Sequence, residues 1–245
     1  MTNHRKTLFI SDLHLEEGRP DITRQFLQLL QNSPNNDVDA LYILGDLFEA
    51  WIGDDDDTPF HREIIQALKT ATQKGLPIYF LRGNRDFLIG KRFMRETGLK
   101  LLADEEKIML YGTPVLLMHG DTLCTRDIAY LKWRKKSHNP ILNTLCFSMW
   151  PLAFRRKFAN KMRAKSAVHT QTVKKEIMDV TQEEVERVMQ KHQVHHLIHG
   201  HTHRPNIHQF ALDNTSATRI VLGAWHAHGH ALIWDETGNR QLTEL

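Results

Sequence analysis

The chain of 245 residues has little cysteine. Only Cys124 and Cys146 occur, they form no CxxC pair, and no secretory segment precedes them. A reduced, cytosolic setting is the simplest expectation. Long apolar runs are missing too. The opening MTNHRKTLFISD holds only the short apolar stretch Thr7–Ile10, too little for a signal-peptide core. No stretch reaches the ~20 apolar residues of a membrane span. The nearest, ILNTLCFSMWPLAF from Ile141 to Phe154, is short and broken by Pro151. Internal repeats and low-complexity tracts are absent. DDDD, Asp54 to Asp57, is the one charge run, and it reads as a solvated loop. What remains is ordinary: 41% apolar and 25% charged residues suit one globular domain, or one domain with an insertion, with a full core.

Charge is unevenly placed. The formal net charge is +3, yet Arg126–Lys165 holds eleven Lys/Arg against one acid, Asp127. That stretch carries +10, so the rest of the chain carries −7. Such asymmetry points to an anionic partner: nucleic acid, a membrane or a phosphorylated ligand.

TLFISD (Thr7–Asp12), ALYILGD (Ala40–Asp46), IYFLRGN (Ile78–Asn84) and PVLLMHGD (Pro114–Asp121) read as short buried strands. Helical patterns over Asp21–Gln31 and His61–Gln73 lie between the first three. This β-α-β-α-β order predicts an α/β fold that starts with a mainly parallel sheet. HHLIHGH is a later strand. IHQFAL, RIVLGAW and HALIWD follow at close intervals and read as antiparallel strands of a second sheet. From Cys124 to about Asp179 strand signals vanish, and the segment reads as a helical cap inserted over the α/β core.

Each strand ends in a polar cluster able to bind metal: Asp12 and His14; Asp46 and Glu49; Asn84, Arg85 and Asp86; His119 and Asp121; His201 and His203. Open α/β sheets build sites beyond the carboxyl ends of their strands. The adjoining Gly45, Gly83, Gly120 and Gly200 permit turns that aim side chains inward. Asp, His and Asn without Cys suit Mn²⁺, Fe or Zn²⁺. Asp12, His14 and His203 are assigned to one ion, Asn84, His119 and His201 to another, and Asp46 bridges. Two ions ~3.5–4 Å apart clamp both oxygens of a phosphoryl displacement. His199 is left outside this set. His226, His228 and His230 read as structural or supporting, because alternation along a strand sends neighbours to opposite faces. Cys124 and Cys146 read as buried apolar fillers.

D-x-H, G-D-x-x-E, G-N-x-D, H-G-D and G-H-x-H in this order resemble the calcineurin-like metallophosphoesterases. That resemblance implies two packed mixed sheets flanked by helices, with two metals at one edge. Longer blocks, among them ALYILGDLFEAWIGDD, LRGNRDFLIGKRF, LLMHGDTLCTRD and LIHGHTHRP with VLGAWH, resemble the UDP-2,3-diacylglucosamine pyrophosphatase branch. The likeness covers nearly the whole chain. It implies a core of residues 1–123 and 180–245 with a lipid-binding cap of 124–179. It also implies two Mn²⁺, metal-activated water attacking the α phosphorus, and release of UMP and lipid X in lipid A biosynthesis. The implied location is cytoplasmic, peripheral on the inner membrane, with neither nucleic acid nor a protein partner.

The resemblance assigns Asn84, Arg85 and His201 to catalysis and substrate contact, and Asp127, Tyr130, Ser166, Thr170 and Lys174 to substrate contact. The family's cap lysine aligns with Val173; either the adjacent Lys174 takes its role after a small helical rotation, or the contact is lost. Arg85 stands where many members of the superfamily carry a histidine that protonates an alkoxide. A phosphate leaving group needs less protonation, and arginine offers a planar charged fork for diphosphate oxygens. Asp127, alone among cations, is expected to meet a specific partner such as a glucosamine hydroxyl or amide. The apolar ILNTLCFSMW with Arg155, Arg156 and Lys157 fits an anionic membrane surface or a packed cap helix. The alternative function is phosphoester hydrolysis of nucleic acid or a dinucleoside polyphosphate. A non-catalytic scaffold would lack ligands, and here every ligand position is filled.

Overall fold

The computed structural model describes residues 4–35, 37–139, 149–172, 177 and 179–245, apart from the side chains of 35 and 165–172. Two sheets stack face to face. The first has the order β11-β10-β1-β2-β3-β4. Its strands are β1 (Lys6–Ile10), β2 (Val38–Leu44), β3 (Ile78–Leu81), β4 (Lys100–Leu101), β10 (His230–Asp235) and β11 (Arg240–Glu244). The second has the order β5-β6-β7-β9-β8. Its strands are β5 (Glu105–Leu110), β6 (Thr113–Met118), β7 (His196–His199), β8 (Asn206–Leu212) and β9 (Thr215–Val221).

The period of two in each strand builds the layers. Phe9, Tyr42, Leu44, Val115, Leu117, Ile198 and Trp234 fill the space between the sheets. Their neighbours Leu8, Ile10, Leu41 and Ile43 face the opposite way, under α1 (Pro20–Asn32), α2 (Pro59–Gln73) and α3 (Lys91–Thr97). Leu116, Met118 and Leu197 face outward from the second sheet, under α6 (Gln182–His192). α1 has proline at its first turn and buries Ile22, Phe26 and Leu30, one stripe of a 3.6-residue period. α2 starts at Thr58, whose side chain accepts the His61 N–H, and buries Ile64, Ile65, Leu68 and Ala71. α4 (Ile128–Ser137) and α5 (Leu152–Thr172) occupy the basic stretch.

β1 to β4 pair in parallel, as the β-α-β-α-β order predicts. The tail corrects the expectation. β8 and β9 pair antiparallel in the second sheet, but β10 joins the first sheet, antiparallel to β1. HALIWD is apolar on both faces: Ala231 packs under the helices, and Leu232 and Trp234 pack between the sheets. Local pattern cannot tell which sheet will cover both faces. The strand over RIVLGAW ends at Val221, and residues 222–229 are not strand, so alternation does not apply to His226 and His228; His230 opens β10. DDDD is a loop with Asp55 and Asp57 exposed, but its acids are partnered rather than merely solvated. Asp54 accepts N–H groups of Gly90, Arg92 and Phe93 at the start of α3. Asp55 pairs with Arg155, and the buried Asp56 with Arg156, both on α5.

Candidate active site

The loops after β1 and β2 are zipped together. Asp12 N–H donates to Gly45 O, His14 N–H to Asp46 O and Leu15 N–H to Leu47 O, at 3.1, 3.0 and 2.9 Å. The buried Asp86 accepts the N–H groups of Leu47 and Gly83, both at 2.7 Å, and so ties in the loop after β3. Its burial beside Asp46 pushes its carboxyl up to about 7. Asp12, His14, Asp46, His201 and His203 all adopt positive φ, between 49° and 68°. Such residues cost of order 1–3 kcal/mol each and cluster at functional sites. The glycines serve closeness as much as turning. A Cβ on Gly200 would stand 2.3 Å from Asp12 Oδ2, and one on Gly45, at φ +87°, 2.5 Å from His119 Nδ1.

Two groups of donors converge. Ligand atoms of Asp12, His14 and His203 lie within 4.8 Å of one another, as do those of Asp12, Asp46 and His119. Asp12 Oδ2 accepts from Ser11 Oγ at 2.5 Å and from the His201 N–H at 2.9 Å. Its Oδ1 is buried without a hydrogen-bond donor, 3.4 Å from His203 Nε2. Burial alone would raise this carboxyl. The imidazoles of His203, His119 and His14 outweigh it and hold it far below the usual range.

Asn84 Oδ1 lies 2.9 Å from His119 Nε2 and 3.0 Å from His201 Nδ1. His119 Nδ1 is 2.9 Å from the Leu44 carbonyl, to which it donates. In the neutral ring, Nε2 then aims a lone pair at the Asn84 oxygen, and the two repel unless a proton or a cation lies between them. Burial opposes charging His119, but Asp46, Asp12 and Asp121 raise it to about 9. Burial and then His119 push His201 down to about 4. An orphaned carboxylate oxygen and facing lone pairs of N and O type fit a divalent cation.

Residues 5–205 match the family model described as calcineurin-like phosphoesterase. The chain belongs to the calcineurin-like phosphoesterase family. Three relatives are named UDP-2,3-diacylglucosamine hydrolase. The one from Serratia proteamaculans is 55% identical over 91% of this chain and 92% of its own. That of Coxiella burnetii is 53% identical over 97% of each chain. That of Pseudomonas fluorescens is 53% identical over 94% of this chain and 92% of its own. The protein is thus a hydrolase, and its donor set is that of a metal-dependent phosphoesterase.

Beside the cluster this phosphoesterase has a cavity of about 480 Å³. Asn84, Arg85, Glu49 and Tyr130 line its end at the cluster; Trp51, Phe87, Leu88, Trp133, Phe158 and Met162 line the rest. The wall is tied down by charge. Arg155, 5% exposed, donates to the Ile52 carbonyl at 2.7 Å and pairs with Asp55. Tyr130 Oη and Arg134 Nε both donate to Asp121 Oδ2. Asp121 is buried, yet His119, Arg134 and His201 hold its carboxyl far below the usual range.

The remaining residues singled out from the sequence divide. Asp127 Oδ1 accepts the Tyr130 N–H at 2.9 Å and caps α4, so the lone acid of the basic stretch has an internal partner. Ser166 and Thr170 lie along α5 with side chains outside the described residues, and Lys174 is outside them altogether, as is Cys146. Cys124 is buried. His199 is buried and neutral, held down to about 3 by burial and Arg219, whose NH1 is 3.1 Å from its Nε2. His226 is exposed, with its ring 5.8 Å from that of His203. Sequence patterns do not single out Arg134 or Arg163, and they read Arg155 only as part of a basic flank beside an apolar stretch. Their signal is only charge among other charges, and tertiary contact selects them.

Proposed function

We propose that the protein hydrolyses the diphosphate of UDP-2,3-diacylglucosamine, giving UMP and 2,3-diacylglucosamine 1-phosphate (lipid X) in lipid A biosynthesis. The observation that carries this reading is the junction of a polar, metal-competent cluster with an apolar cavity at Asn84 and Arg85. A diphosphate bearing a nucleoside on one side and two acyl chains on the other needs both. Apolar walls built from Trp51, Phe87, Trp133, Phe158 and Met162 suit acyl chains, and Arg85, at the cluster end, suits phosphate. The names of the relatives agree.

Asp12, His14 and His203 would hold one Mn²⁺ and Asn84, His119 and His201 a second, with Asp46 between them. Such a pair, when bound, supplies Lewis acidity, lowering the pKa of water and offsetting charge on the phosphoryl oxygens. Water attacks the α phosphorus, the bond to the bridging oxygen breaks, and the lipid phosphate leaves with the electron pair. Arg85 presents its guanidinium to the diphosphate oxygens. Its backbone N–H donates to Asp46 Oδ1 at 2.8 Å, which fixes where the side chain starts. In this reading residues 124–179 serve as the cap; Asp127 would meet a glucosamine hydroxyl or amide, and Tyr130, Ser166, Thr170 and Lys174 would contact the substrate. Among the described residues no helix is long and apolar enough to cross a membrane. The exposed Ile128, Met149 and Phe154, set among the cap's cations, suit contact with the cytoplasmic membrane surface, where an acylated substrate resides.

The test is turnover of UDP-2,3-diacylglucosamine with Mn²⁺ in ¹⁸O-labelled water, read by mass spectrometry. Metal-dependent label in UMP is expected. Label in lipid X would move the attack to the other phosphorus. Absence of turnover, with cleavage of a dinucleoside polyphosphate instead, would overturn the substrate.

A further inference from the structure

Glu49 stands at the meeting point of three parts of the molecule. Backbone pairing delivers it. Leu15 and Phe48 form an isolated parallel bridge, and the Glu49 N–H donates to Leu15 O at 3.1 Å. The side chain is therefore held next to His14 by the zipped loops. Its Oε2 lies 2.9 Å from His14 Nδ1, short but off the ring N–H direction. Its Oε1 lies 3.2 Å from Nε of Arg163 on α5 and 3.8 Å from NH1 of Arg85. Arg163 also donates to Glu16 Oε2 at 2.8 Å, so two acids from the β1 and β2 loops grip this turn of α5.

A histidine that offers Nε2 to a metal keeps its proton on Nδ1, and a carboxylate beside Nδ1 fixes both that tautomer and the ring plane. His14 Nε2 points toward Asp46 Oδ2 at 3.9 Å and His203 Nε2 at 3.4 Å, which leaves Nδ1 for Glu49. The same carboxylate holds a cation of the cap and leans on the arginine at the mouth of the cavity. We infer that Glu49 is a positioning residue that couples the docked cap helix to the metal centre: one oxygen orients His14, the other seats Arg163 and steadies Arg85. The inference rests on reading His14 as a metal ligand.

The test is calorimetric titration of the metal-free protein with Mn²⁺, paired with steady-state kinetics. Glu49→Gln keeps the size of the side chain and removes its charge; Glu49→Ala removes both oxygens. Both are expected to weaken Mn²⁺ binding by about 10–100-fold, as loss of a supporting carboxylate does. Arg163→Ala is expected to bind Mn²⁺ within about twofold of the parent and to raise KM. Coupling through one carboxylate further requires non-additivity, so adding Arg163→Ala to Glu49→Ala should raise KM by less than it does in the parent. Parental Mn²⁺ affinity in Glu49→Gln, or fully additive KM changes, overturns the inference. His14→Ala separates the two levels. If it loses Mn²⁺ while both Glu49 variants keep it, only the inference falls. If His14→Ala itself binds like the parent, the metal reading falls and takes the inference with it.

Discussion

Nε2 of His14 and Nε2 of His203 face each other at 3.4 Å, across 189 residues of chain. Two imidazole nitrogens at that distance repel through their lone pairs unless a proton or a cation separates them. The orphaned Oδ1 of Asp12 stands 3.4 Å from the same His203 nitrogen. Metal loading should therefore stabilise the fold. At a free Mn²⁺ concentration of ~100 times Kd the gain is about 2.7 kcal/mol, a rise in Tm of about 5–10 °C. His203→Ala should lose most of that rise in a thermal melt run with and without Mn²⁺.

Asp46 and Arg85 should separate in their effects. Asp46→Ala removes the oxygens placed between both donor groups, so metal content and turnover should fall together. Arg85→Ala should keep the metal content of the parent and lower kcat/KM by roughly 10²–10³, the scale of losing one charge-stabilising donor. Elemental analysis beside kinetics checks the division. Equal metal loss in both variants would contradict it.

Phe158 lines the apolar part of the cavity and packs 6.4 Å, centre to centre, from Trp133. Phe158→Ala gives up burial worth roughly 1.5–3 kcal/mol. The expected result is a rise in KM of about tenfold or more for a long-chain diacyl substrate. A short-chain analogue should show a smaller ratio of variant to parent, and an equal ratio for both would remove the acyl chains from this cavity.

Asp121 carries an acid-sensitive share of stability. Its folded carboxyl lies well below the unfolded value of about 3.9. A depressed acid stabilises fully above the unfolded pKa and loses that share as pH falls toward the folded one. Asp121→Asn leaves His119 and the buried end of Arg134 without their carboxylate, at a cost of about 3 kcal/mol at pH 7. In urea titrations the gap to the parent should hold from pH 7 to 5 and narrow below about pH 4.

Burial raises the Cys124 thiol to about 12, with Asp121, Asp179 and Asp127 adding to it. Thiolate is the reactive form, so this side chain should be inert in the native state at pH 8. In a Cys146→Ser background, a thiol reagent should titrate no group before denaturation and one after it.

Much of the site is legible in the sequence because its chemistry is local. Asp12 and His14, Asn84 and Arg85, and His201 and His203 sit within a few residues of strand ends, where alternation and glycine punctuate the pattern. Hydrophobic period alone places Leu8 and Phe9 on opposite faces and predicts the parallel opening of the first sheet. Other features are illegible for equally physical reasons. HALIWD is apolar on both faces, and either sheet could cover it; only the space beside β1 settles its place. Asp54 to Asp57 read as solvated because charge in a sequence carries no partner. Arg155, Arg156 and the start of α3, brought close by packing, turn the run into a clamp.

The sequence by itself determined the donor types, their order along the chain and the alternating core, since these depend on residue chemistry and short-range geometry. Tertiary structure decided which donors share an atom's reach, as when Asn84 meets both His119 and His201 within 3.0 Å. It also decided that Glu49 would touch His14 and Arg163 at once. Those contacts join residues from different elements, at distances fixed by sheet stacking and loop pairing, and no period along one chain encodes them.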